Sequence, residues 1–466
     1  MRRSGIVAVV LLLACAAVLA SLGPGGDVRL KGASRAAKNG WIFVHLEGAP
    51  AQAGYQHGYL LAPEISDAQR LIAFLLERDT KRGWKFFHDA ARTALWPRVD
   101  AEYREELRGM SAGLRARGVN LDAYDLTAMN AWQELSPAWY KWVEEQQGRV
   151  VKISQPEHCS AFVATGSYTK DGRPVIAHNA WTGYVEGVRW NIIFDIAPTR
   201  GHRIIMDGFP GLIHSADDFG INSAGIVITE TTISQFSGFD PAGVPEFVRA
   251  RKAMQYSSSI DDFARIMKEG NNGGYANNWL VADTKTGEIA SLELGLKNVT
   301  LLRTRDGYFA GSNYPVNEKL IREETDFQVN DHGNSANARH ARWEQLMAGN
   351  KGKIDVAAAQ RFLADHYDTY EKKEQPSERT LCGHIDQSPR GAKPWVNEYS
   401  PTGAIQAKAT DAAMAGRMTL VAAMGHPCGM NFKAAEHLKA HPEYAWLKDY
   451  LRDLNAHPWT EFKAKK

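Results

Sequence analysis

Cysteine is scarce: four in 466 residues. That excludes a disulfide-dense scaffold and leaves the fold to an apolar core, for which the chain is ample. Neither sign of charge dominates. Lys plus Arg total 55 against 53 Asp plus Glu, the net charge is +2, and the signs are interspersed. No basic stripe marks a nucleic-acid partner, and a polyanionic substrate is not expected. Past the amino terminus no stretch reaches the roughly 18 apolar residues of a spanning helix. The Gly-x-Ser-x-Gly elbow, the His-Glu-x-x-His and Cys-x-x-Cys metal patterns, the Walker motif and the dinucleotide glycine pattern are all missing, so neither a cofactor nor a metal is expected. His57, His366, His384 and His426 are scattered in sequence and read as structural. No repeat of 20 to 50 residues and no low-complexity tract is found.

What is present begins with Arg2-Arg3 and an apolar run from Gly5 to Leu19, with small residues before a cut near Ser21. Residues 1–20 read as a signal peptide and the protein as exported: periplasmic or secreted, or lysosomal or extracellular in a eukaryote. An uncleaved anchor and a lipoprotein signal at Cys15 are the rival readings. Residues 21–40, opening Gly23-Pro24-Gly25-Gly26, read as a flexible leader. An oxidising compartment makes Cys382 and Cys428 a natural pair and leaves Cys159 free for chemistry; three separate buried thiols are the alternative.

From Gly54 to Glu134 apolar residues recur at helical spacing, as in Leu71, Ile72, Phe74 and Leu75. Past 159 the pattern turns to short β runs at 190–196, 203–206, 225–231, 279–282, 289–294 and 299–302, interrupted by helices at 246–254 and 260–268. Helical period returns at 338–347 and 356–366. Helices, strands and helices in that order predict one α+β body with sheets between helical layers.

Cys159 opens an apolar run, Cys159 to Thr165, that Asp171-Gly172 turns back into Pro174 to Ala177, a hairpin signal. A thiol at a loop-to-strand junction suits an amino-terminal nucleophile: once the bond before it is cut, its own α-amine, with a reference pKa near 8, serves as base. The returning strand carries His178, to hold the amine or orient substrate, and Trp181, to wall an acyl pocket. Asn313, in Gly311-Ser312-Asn313-Tyr314-Pro315, is placed to donate to an oxyanion, and Thr231 and Thr232 end another strand. The amide-rich run Asn271 to Asn278 either lines the cleft or is a structural loop. Asn298-Val299-Thr300 matches a glycosylation acceptor.

Several long strings carry a family resemblance: His178-Asn179-x-Trp181, Ile228-Thr229-Glu230-Thr231-Thr232-Ile233, Phe247 to Tyr256, Asn271 to Asn277, Arg379-Thr380-Leu381-Cys382-Gly383-His384 and Gly425-His426-Pro427-Cys428-Gly429. From about residue 41 to the end the chain resembles the phospholipase B-like proteins, amino-terminal-nucleophile hydrolases related to penicillin acyltransferases and bile-salt hydrolases. The resemblance implies a four-layer αββα fold and self-cleavage between His158 and Cys159. A helical 41–158 fragment and a 159–466 fragment would then stay associated. It places His178, Trp181, Thr231 or Thr232, Asn313, and Arg339 or Arg342 around Cys159. The bile-salt hydrolases carry arginine and aspartate where this chain has His178 and Trp181, so their substrate is not carried over. The implied substrate is a phospholipid or related acyl ester or amide, met through transient contact with a membrane surface. The alternatives are an N-acyl amide hydrolase or acyltransferase and a non-catalytic lipid-binding protein.

Overall fold

The computed structural model of the protein describes residues 27–151, 153, 159–216 and 219–465. The expected signal peptide and His158 lie outside them. Seventeen strands are found among the described residues: β1 Ser34–Lys38, β2 Trp41–Gly48, β3 Ser160–Thr165, β4 Val175–Gly183, β5 Ile192–Pro198, β6 Ile204–Gly208, β7 Gly220–Asn222, β8 Ile226–Thr232, β9 Asn277–Asp283, β10 Glu288–Leu294, β11 Val299–Thr304, β12 Gly307–Gly311, β13 Tyr367–Asp368, β14 Lys373–Glu374, β15 Thr402–Asp411, β16 Thr419–Met424 and β17 Thr460–Lys463.

Two sheets carry the fold. The first runs β1-β2-β5-β6-β7-β8-β9-β10-β11 and the second β12-β3-β4-β15-β16-β17. Pairing is antiparallel except between β2 and β5. The sheets face each other, β3, β4 and β12 of the second lying over β8, β9 and β10 of the first. Helices Glu246–Tyr256 and Ile260–Lys268 cover the outer face of the first sheet. Helices Ser335–Gly349 and Val356–Leu363 cover that of the second. This is the expected four-layer αββα sandwich.

Two expectations for the amino-terminal part need correction. Residues 27–40 are not a loose leader, because β1 and β2 form a hairpin turned by Asn39 and Gly40 at φ 48° and 81°. Asn-Gly supplies the two left-handed residues of a two-residue turn, a signal present in the sequence. The 41–158 part is also not wholly helical, since it opens with β2, whose neighbour is β5 of the next part. The rest is helical as expected, and two helices, Pro50–Leu60 and Ala101–Ala116, cross closely. Gly54, Gly58, Gly109 and Gly113 stand at the crossing, where a Cβ on any of them would collide with backbone of the other helix. Among the described residues no helix is long and apolar enough to cross a membrane.

Candidate active site

Cys159 sits at the head of β3 and is buried, 1% exposed, with φ 88°. Positive φ is costly for a residue with a Cβ, about 1–2 kcal/mol, and is held only where surrounding contacts impose it. The contact here is an arginine. Arg339, on the helix Ser335–Gly349, donates from Nη1 to the Cys159 carbonyl at 2.6 Å and to Ser160 Oγ at 3.1 Å. Its Nη2 donates to Asn313 Oδ1 at 2.9 Å and its Nε to Ser335 Oγ at 3.1 Å. The guanidinium lies 4.3 Å from the centre of the Trp181 ring. A wholly buried cation is thus spread over oxygen acceptors and an aromatic face, the arrangement a planar five-donor group tolerates and an ammonium does not.

Asn313 follows β12 with φ 67°, a conformation asparagine adopts more readily than most residues. Its amide is held from both ends: Oδ1 takes Arg339, and Nδ2 donates to the Thr232 carbonyl at 2.8 Å. Ser234 N donates back to the Asn313 carbonyl at 3.0 Å. The two strand ends of opposite sheets are thereby knit together beside Cys159. Thr231 and Thr232 are neighbours in a strand and face opposite ways. Thr231 packs against Gly311, and the Thr232 hydroxyl meets Tyr275 OH at 2.8 Å.

His178 and Trp181, both expected beside the thiol, lie on opposite faces of β4. They are three positions apart in the strand, and an odd spacing switches faces. Trp181 faces the outer helices and Arg339, its Nε1 donating to the Leu381 carbonyl at 3.3 Å. His178 pairs with Ala161 and Lys408 across the sheet and shares its face with Ile176 and Ala180 of the core between the sheets. The same layer holds the buried ion pair of Lys408 Nζ with Asp207 Oδ2 at 2.9 Å. Of the two candidate arginines, Arg342 is elsewhere, paired with Asp365 at 2.8 and 2.6 Å. The amide-rich loop is structural: Asn272 donates to buried Glu134 at 2.6 Å, and Asn271 to the Gly295 carbonyl at 2.7 Å.

Sequence reading overlooked Ser160 and Ser335, which fix Arg339, and the Lys408–Asp207 pair. Lys408 was visible as a cation inside the small and apolar run Ala404 to Ala409; the serines carried no signal. It also scattered what the fold gathers. His366, Cys382, His384 and Cys428 place one ligand-type atom each within 4.8 Å of one another. Cys382 and Cys428, expected as a pair, are free cysteines here, with His384 Nε2 at 3.4 and 3.5 Å from their sulfurs.

A cavity of about 420 Å³ lies at the end of β4, lined there by Thr182 and Gly183 and walled by Leu75, Pro137, Trp395 and Trp446; Trp181, expected to wall an acyl pocket, is not part of its lining. Its lining also includes Ile153, shortly before Cys159 in the chain, and Glu186. Burial pushes the Glu186 carboxyl up to about 7.

Comparison with known proteins follows the same outline. The chain is 23% identical over 421 residues to phospholipase B-like 1 of Homo sapiens, covering 80% of this chain and 74% of the human one. It is 24% identical over 432 residues to phospholipase B of Crotalus adamanteus, covering 80% and 76%. An uncharacterized protein of Archaeoglobus fulgidus is 25% identical over 265 residues, 53% of this chain and 42% of the archaeal one. Two solved structures of conjugated bile acid hydrolase variants from Clostridium perfringens align over 57% of this chain at 11% and 12% identity, with TM-scores of 0.31 and 0.33. The sequence model described as Phospholipase B matches residues 62–459, nearly the whole of the described chain, and the protein belongs to that family.

Proposed function

We propose that the protein is an exported, self-processing cysteine hydrolase that removes an acyl group from a phospholipid or a related acyl ester or amide. The single observation that carries this reading is the junction at Cys159. A thiol heads a strand in a strained backbone conformation, and one buried guanidinium holds both its carbonyl and the amide of Asn313.

Scission of the bond before Cys159 leaves an α-amine on the same residue. The amine accepts the thiol proton as sulfur attacks the acyl carbonyl, and passes it to the leaving alcohol or amine as the tetrahedral intermediate collapses. Water then attacks the thioester, its proton passing to the amine and on to the departing thiolate, and the acid is released. Asn313 Nδ2 with a backbone N–H serves the oxyanion, and Arg339 keeps the amide turned toward it. Trp181 packs with Trp395, which lines the cavity, and the cavity's size fits the range of small-molecule sites, about 300–1,000 Å³. Its apolar walls suit an acyl chain.

Mass spectrometry of the mature protein tests the reading. A fragment of 466 − 158 = 308 residues beginning at Cys159 is expected, and Cys159→Ala should leave an uncut precursor with no hydrolase activity. An active sample with an unbroken chain across that junction would leave the thiol without its base and overturn the mechanism. Paired ester and amide substrates of one acyl chain then separate the lipase from the amide hydrolase.

A further inference from the structure

We propose that His366, Cys382, His384 and Cys428 form a structural zinc site that clamps the 365–388 connection to the end of β16 behind Trp181. Zinc bonds of about 2.3 Å to sulfur and about 2.0–2.1 Å to nitrogen, set in a tetrahedron, place sulfur and nitrogen about 3.6 Å apart. His384 Nε2 stands 3.4 Å from Cys382 Sγ and 3.5 Å from Cys428 Sγ. Two edges of the tetrahedron are therefore already set. The nitrogen faces both sulfurs, which are free thiols. The fourth group, His366, keeps its Nε2 buried without a hydrogen-bond partner.

The surroundings are those of a metal ligand shell. His384 Nδ1 faces away from the sulfurs, toward the Gln387 amide at 3.5 Å and the Asp386 carboxylate at 3.9 Å. Asp386 in turn accepts from Tyr184 OH at 2.7 Å. A carboxylate behind an imidazole is the usual outer partner of a metal-bound histidine. His426 covers the His384 ring at 4.3 Å between centroids. Trp181, Ile385, Ala392 and Ala404 close the site with apolar surface. Two imidazoles and two thiolates of net charge −2 neutralise one Zn²⁺ in this setting, and the two thiol protons leave to solvent on binding. Two sulfurs and two nitrogens in a tetrahedron select zinc among the divalent ions. Four protein ligands leave no open position, so the site is structural.

Its consequence for the active site is positional. Gly383, between two ligands, lies so close to the Trp181 ring that a Cβ there would collide with it, and the Leu381 carbonyl accepts from both Trp181 Nε1 and Asn179 Nδ2. The clamp holds the wall on which Trp181 rests. It uses neither Cys159 nor scission, so it stands or falls apart from the hydrolase reading.

The test uses the full chain, reduced, loaded with zinc chloride alone and passed over chelating resin. About one zinc per chain is expected, falling at least fivefold in Cys428→Ser and in His366→Ala. Cobalt in place of zinc should give the intense visible bands and thiolate-to-metal charge transfer of a tetrahedral site, a reading on the unmutated protein that survives a failure of either variant to fold. Wild-type protein that retains no metal, an unchanged zinc content in folded Cys428→Ser, or a Cys382–Cys428 disulfide in the peptide map of the folded protein would each overturn the proposal.

Discussion

Arg339 is the residue on which the site geometry converges, because its five donors reach Cys159, Ser160, Asn313 and Ser335 at once. Lysine keeps the charge and cannot reproduce the fork. Arg339→Lys is expected to slow self-cleavage at least tenfold, read as loss of precursor on denaturing gels over time. It should also destabilise the fold by about 2–3 kcal/mol through lost charged hydrogen bonds, read by urea unfolding. Asn313 separates backbone from side chain more cleanly. Its φ of 67° suits glycine, so Asn313→Gly keeps the backbone and loses only the side-chain hydrogen bonds to Arg339 and the Thr232 carbonyl, a destabilisation of about 2–3 kcal/mol, while turnover falls about 10²–10³-fold, the usual cost of losing one oxyanion donor. Asn313→Ala should show the same kinetic loss and a further destabilisation of about 1 kcal/mol from its Cβ at positive φ. Equal activity in wild type and the glycine variant would remove Asn313 from the chemistry.

At the scale of elements, the sequence was legible wherever one period ran unopposed. The run Ile260 to Lys268 forms a helix with those bounds, and the β runs at 289–294 and 299–302 agree with β10 and β11 to within two residues. The hairpin through Asp171-Gly172 is present as β3 and β4. Cys159 could be singled out because a strand start after a polar stretch is a local feature. What local pattern does not carry is the meeting of distant segments. Arg339 and Arg342 look alike on their helix, and only packing against β3 picks out the first. His366, Cys382, His384 and Cys428 are brought together by two connections that no spacing rule links. The β1–β2 turn is a different case, since Asn39-Gly40 was readable and the glycine-rich stretch before it masked it. The glycines of the Pro50–Leu60 and Ala101–Ala116 helices are readable in hindsight as i, i+4 pairs that let two backbones touch. Gly58→Ala sets a methyl against the Met110 carbonyl, which cannot rotate aside. A loss of about 1–3 kcal/mol is expected in denaturant unfolding, the usual penalty of overpacking. Gly349→Ala, at a helix end with nothing within 4 Å, is the control. It should be neutral or stabilising by up to about 1 kcal/mol.

Across the whole molecule, scission before Cys159 would not part the two pieces. The amino-terminal piece contributes β1 and β2 to the first sheet, with β2 hydrogen-bonded along β5, and His45 meets Asp195 across that seam at 2.7 Å. The fragments are expected to co-elute on gel filtration in native buffer and to separate only in denaturant. The same interface shapes the pH response. Glu186, beside the cavity where the two parts meet, keeps Oε2 buried without a partner, and burial with nearby Asp79 holds its carboxyl at about 7 instead of 4.5. A pKa raised on folding means the folded state binds the proton more tightly. Its contribution is therefore complete below pH 4.5 and is lost as pH climbs through 7. A shift of this size is worth about 3 kcal/mol at full extent. Glu186→Gln cannot ionise and so lacks that decline. The variant and the wild type should melt at similar temperatures near pH 4, and the variant should become the more stable by up to about 3 kcal/mol at pH 8. Melting curves that stay parallel from pH 4 to 8 would show that Glu186 titrates as an ordinary exposed carboxylate and that water reaches this end of the cavity.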